Sequence, residues 1–109
     1  MNKHAVIAAL TLMLSLPCHA YYVVGVGFVS CGKVVTDLRG TDQHLKDYLT
    51  AWFQGFISGR NSEMQARVGH EKSPLPDNDA IRVFVENYCG ARPLEPSVNA
   101  ADALWNSIQ

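Results

Sequence analysis

The sequence has little charge of either sign to concentrate. Nine Lys and Arg are scattered against ten Asp and Glu, with no basic stripe and no acidic run. That excludes the electrostatic footprint by which proteins hold nucleic acid or anionic membrane. Internal repeats and low-complexity tracts are absent. Cysteine is scarce: there are three, none in a C-x-x-C pair. With histidines as scattered as these, they lack zinc-site spacing. The glycines Gly25 and Gly27 make a G-V-G that no third glycine completes, so there is no dinucleotide fingerprint.

What is present begins with a leader. Lys3 precedes an apolar run from Ala5 to Leu16, Pro17 breaks it, and the small residues Cys18 and Ala20 stand before Tyr21. This is the layout of a secretory signal peptide, residues 1–20, cleaved before Tyr21. The run is too short for a membrane span, which needs roughly 20 residues. Tyr21 to Val29 is also apolar, which leaves an uncleaved N-terminal anchor as the alternative; Cys18 as a lipid acceptor is disfavoured, because Leu16 and Pro17 before it are not small. Residues 21–109 then form a single domain, near the size where one core is only marginally sufficient.

Cleavage removes Cys18 and leaves Cys31 and Cys89. An even pair in a small exported domain reads as a disulfide.

Tyr21 to Val35, rich in Val and aromatics, reads as a short strand or extended segment, and Asp37 to Gly40 as a loop. Thr41 or Asp42 can cap a helix in which Leu45, Tyr48, Leu49, Trp52, Phe53, Phe56 and Ile57 recur at helical spacing, ending near Asn61 or a turn beyond. Ser62 to Asp77 is polar, with Gly69, Pro74 and Pro76, and reads as a loop that holds the tail of this helix. A second helix, Asp79 to Cys89, follows an Asp77 or Asn78 cap, with Gly90 as its C′ residue. A third begins after Pro96, with Val98, Ala101, Leu104, Trp105 and Ile108 as its apolar stripe. The predicted fold is mainly α: a small bundle of three to four short helices with one disulfide and an extended N-terminal segment.

No enzyme motif emerges. His44 and Asp47 lie three apart on a polar helix face and read as solvated, so no catalytic, metal-binding or cofactor-binding residue is predicted and the chain is read as not an enzyme. The residues left for partner binding are Arg60 and Asn61 at the end of the central helix, then Glu63, His70 and Glu71 in the loop, the usual place for recognition. Within W-F-Q-G-F-I-S-G-R-N, Gly55 and Gly59 extend a strip of small residues begun by Ala51. Each glycine costs a helix about 1 kcal/mol relative to alanine. The strip is therefore expected to be a packing seam against another backbone, where Gly55→Leu would destabilise.

Three stretches taken together, S-C-G-K-V-V, Y-L-T-A-W-F-Q-G-F-I-S-G-R-N and V-E-N-Y-C-G-A-R-P-L-E-P-S-V-N-A-A-D-A-L, resemble the HdeA-like and Rap/Tai-like families of small exported proteobacterial proteins. The resemblance spans about residues 30–108 and rests on structural motifs. It implies a periplasmic helical domain whose disulfide joins an early cysteine to one closing a later helix. Functionally it implies a protein-binding module of inhibitor or immunity type that occludes a partner protein. The alternatives are an acid-stress chaperone and an accessory protein of a plasmid or phage. No site residue transfers from either family, stable membrane insertion after cleavage is not expected, and a homodimer is left open.

Overall fold

The structure, a computed structural model, describes residues 23–109. The predicted leader and its predicted cleavage before Tyr21 lie outside the described residues. Among these, the chain is mainly helical: a 3-10 turn at Gly25–Phe28 precedes α1 (Cys31–Arg39), α2 (Gln43–Val68), α3 (Asn78–Ala91) and α4 (Val98–Ser107), and there is no strand.

Helix α1 occupies the segment read as extended or loop. Ser30 caps it by accepting the Lys33 N–H at 3.3 Å, and Cys31, Val34, Val35 and Leu38 are buried. Those positions are i, i+3, i+4 and i+7, so the helical signal was present. The β-branched run Val34-Val35-Thr36 favours a strand by propensity alone, and burial of the i, i+3, i+4 face overrides it.

Helix α2 begins where expected, with the Asp42 carboxylate accepting the Leu45 N–H at 3.1 Å. It then runs for 26 residues to Val68, so it is not short, and the expected helix tail in the 62–77 segment is continuous helix through 62–68. The Glu63–Arg67 ion pair at i, i+4 and the packing of Met64 on the core extend it; the loop shrinks to 69–77. Helix α3 is capped by Asp77, which accepts the Ala80 N–H at 2.8 Å. It continues through Gly90 to Ala91, past the predicted stop, a shift within the usual uncertainty of helix ends.

The core gathers Val34, Phe53, Ile57, Ile81, Val85, Leu104 and Trp105 around the buried cysteines. Helix α1 packs mainly on α3, while α2 touches α1, α3 and α4. Along α2 only Leu49, Thr50, Phe53 and Ile57 are buried. The predicted face is thus narrower than its apolar residues suggest: Trp52 and Phe56 are half-buried on its flank, and Tyr48 is 59 % exposed.

The Cys31–Cys89 disulfide forms, joining the start of α1 to the last turn of α3. Backbone bonds continue the seam: Cys31 N–H donates to Glu95 O at 2.8 Å, Gly32 N–H to Pro93 O at 2.9 Å, and Ser97 N–H to Val29 O at 2.9 Å. The buried Ser97 hydroxyl donates to Val26 O. Closing a sequence separation of 58 removes unfolded-state freedom equivalent to about 4 kcal/mol. Reduction is therefore expected to lower the melting temperature by roughly 15 °C or more, measured by circular dichroism with and without dithiothreitol.

Candidate functional site

The predicted partner-binding residues do not form one site. Arg60 and Asn61 lie in the middle of α2, since the helix continues past them. Arg60 donates through Nη1 to Asp102 Oδ1 at 3.0 Å, and its guanidinium stands 5.9 Å from the Phe56 ring and 5.6 Å from the Trp105 ring. Asn61 clamps the loop. Its Nδ2 donates to Lys72 O at 3.2 Å and its Oδ1 accepts the Lys72 N–H at 2.8 Å. Glu63 pairs with Arg67 on the helix surface, and His70 and Glu71 are exposed in the loop. His44 and Asp47 do not pair: Asp47 accepts instead from Arg82 at 2.6 Å and from Gln43 at 2.8 Å.

Lys72, which sequence reasoning passed over, holds the loop to the C-terminus. Its Nζ donates to Trp105 O at 3.0 Å and Ile108 O at 2.6 Å and lies 4.7 Å from the Trp105 ring. A cation at the C-terminal end of α4 complements the helix dipole; it shares Trp105 O with the Ile108 N–H and adds a bond to Ile108 O, just past the helix. Nothing in the local sequence marks this lysine, because both carbonyls come from residues more than thirty positions away.

The small-residue strip overturns its expectation. A Cβ at Gly55 or Gly59 would meet nothing within 4 Å, and both positions are exposed with Ala51. The close approach lies in the 3-10 turn instead: a Cβ at Gly27 would come within 2.9 Å of the Trp52 ring and closer still to Val23. Gly25, at φ +73°, also lies against Trp52, and the Trp52 indole N–H donates to Val24 O at 3.2 Å. The N-terminal segment thus packs on Trp52, one residue position around the helix from the strip, and leaves a groove beside it. Val23 and Val24 form one wall, Ala51, Trp52, Gly55 and Phe56 the other, and Arg60 the end; its volume is about 520 Å³.

A second feature projects from the disulfide seam. Arg92 to Glu95 is a turn closed by Glu95 N–H donating to Arg92 O at 3.2 Å, with Leu94 near its tip, 95 % exposed. The Tyr88 hydroxyl donates to Glu95 Oε2 at 2.9 Å, and Asn99 Nδ2 donates to the same oxygen at 3.2 Å. The Arg92 guanidinium lies 4.3 Å from the Tyr88 ring centre. Partial burial, then the bond to Glu95, raise the Tyr88 phenol above its ordinary value. The hydroxyl therefore stays a donor across the neutral range; its contribution is complete below the ordinary tyrosine value and is lost as pH rises from there through the raised one. An exposed leucine alone is ordinary. This one is mounted on backbone held by a disulfide, two hydrogen bonds from α1 and two more onto Glu95.

The fold and these surfaces define a small, disulfide-stapled, mainly helical domain. No helix among the described residues is long and apolar enough to cross a membrane. No family model, curated protein or solved structure matches the chain.

Two outcomes follow from this geometry. Gly55→Ala is expected to raise stability by about 1 kcal/mol, the helix-propensity difference with no steric penalty, seen as a higher denaturant midpoint; a lower midpoint would restore the packing seam. Asn61→Ala is expected to cost about 1–3 kcal/mol by removing both bonds to the Lys72 backbone. Hydrogen exchange should show the accompanying loss of protection concentrated at the Lys72 amide.

Proposed function

We propose that the protein is an exported, periplasmic, non-enzymatic binding module of inhibitor or immunity type that acts by occluding a partner protein. The observation that carries this reading is the mounting of Leu94. Occlusion requires a projecting element that inserts without ordering itself on arrival. Each side chain or loop that must be immobilised on binding weakens the complex by roughly 0.5–1.5 kcal/mol. The Arg92–Glu95 turn has already been ordered during folding, by the Cys31–Cys89 bond and the hydrogen bonds to Pro93 and Glu95. Its tip offers an apolar side chain between Pro93 and Glu95, suited to an apolar cleft with a polar rim. The resemblance to small exported helical proteins, a group that includes both immunity proteins and acid-stress chaperones, is compatible with this reading. The ion pairs at Arg60, Glu63 and Asp47 engage these groups with neighbours on the surface.

The test compares the oxidised protein with Leu94→Asp, a change at an exposed position that is expected to leave the melt unchanged, as immobilised baits in envelope extract. A partner of the wild type is expected to lose about 2 kcal/mol of affinity, roughly thirtyfold, with Leu94→Asp, the loss typical of a central contact. That partner's own activity should fall when the wild-type protein is added. Equal capture by both baits, or capture without inhibition, would remove the occlusion reading.

A further inference from the structure

The groove beside Trp52 is distinct from the Leu94 turn, and its chemistry is more specific. We infer that it is a binding site for a small amphipathic carboxylate, an acyl or aromatic acid whose apolar body lies along Trp52 and Phe56 and whose carboxylate meets Arg60.

Size and lining agree with such a ligand. A volume of about 520 Å³ lies within the roughly 300–1,000 Å³ range of small-molecule sites, which are mostly apolar with few polar groups. Six of the seven lining residues are apolar, and Arg60 carries the only charge. The other side-chain polar group among the lining residues, the Trp52 indole N–H, is already committed to Val24 O. Charge complementarity therefore selects one anionic group at one end of an apolar body.

The guanidinium is suited to that role. It uses Nη1 toward Asp102, and a guanidinium has five N–H donors in a planar fork that matches a carboxylate. The Phe56 and Trp105 rings lie on its flanks and limit its motion. The Asp102 pair is exposed on both sides, 41 % and 38 %, and such pairs are worth at most about 1 kcal/mol. A ligand carboxylate can therefore share the fork or displace Asp102. The same neighbour disfavours a dianion such as a phosphate monoester, which would bring two charges beside an existing carboxylate.

Gly55 is explained by this site. Its missing side chain is not required by packing, since a Cβ there would meet nothing, yet a side chain at that position would stand in the groove. The helix carries a glycine where alanine would hold it better, and the beneficiary is the open volume beside Trp52.

The experiment titrates the disulfide-intact protein with decanoate, below its micellar range, by calorimetry and by tryptophan fluorescence. Decanol supplies the tail without the charge, and acetate the charge without the tail. Saturable one-to-one binding of decanoate is expected, with decanol and acetate at least tenfold weaker. Gly55→Leu should abolish binding while melting no lower than wild type, which separates a filled groove from a damaged fold. Arg60→Met should weaken decanoate at least tenfold and leave decanol unchanged, whereas Asp102→Asn, which frees the fork, should tighten decanoate. Equal affinity for decanol and decanoate would overturn the inference, as would undiminished binding to Gly55→Leu. Failure to saturate by about 1 mM, an affinity near 4 kcal/mol, would do the same. Leu94→Asp should bind decanoate as wild type does, so this result stands or falls apart from the occlusion reading.

Discussion

The buried bond between Cys31 and Cys89 is the constraint on which the rest of the domain depends. It fixes the first residue of α1 against the last turn of α3, and the backbone bonds beside it extend that junction in both directions along the chain. Toward the N-terminus they hold the 3-10 turn against Ser97 and, through Trp52, against α2. Toward the C-terminus they set the Arg92–Glu95 turn and the start of α4. A chain of this size has a marginal core, and the cross-link between α1 and α3 sits beside the backbone bonds that hold the neighbouring segments.

Both candidate surfaces are consequences of that junction. The Leu94 turn projects from it on ordered backbone, so an apolar side chain can be exposed without being loose. The groove lies where the N-terminal segment, pinned at Cys31, covers only part of the aromatic flank of α2. Had Val23 and Val24 packed over Gly55 rather than against Trp52, the groove would be closed. Gly27, which lets the turn approach Trp52, and Gly55, which keeps the opposite wall low, shape it from both sides.

The loop 69–77 shows how a polar segment becomes ordered without a core of its own. Asn61 holds the Lys72 backbone from α2, and the Lys72 ammonium holds the end of α4. A segment that composition describes as a solvated connection is thereby tied to two helices, and its exposed residues, His70 and Glu71, are presented from an anchored frame.

Local rules carried the sequence a long way. Asp42 and Asp77 cap their helices through side-chain oxygens; the apolar spacing of α2 and α4 is real; and Cys31 and Cys89 do pair. These depend on neighbours within a few residues or on simple parity, so they are legible along the chain. The segment around Cys31 was misjudged because β-branched propensity and helical spacing disagree there, and only burial against α3 decides between them. The end of α2 is only loosely marked along the chain, because a polar helix tail and a polar loop share a composition. The glycines were placed on the wrong side of the problem for a deeper reason. Sequence shows that Gly55 and Gly59 weaken a helix, but whether the space beside them is filled or empty depends on where another segment comes to rest. That was settled by the packing of Gly25 and Gly27 on Trp52, a contact between residues more than twenty positions apart in the chain.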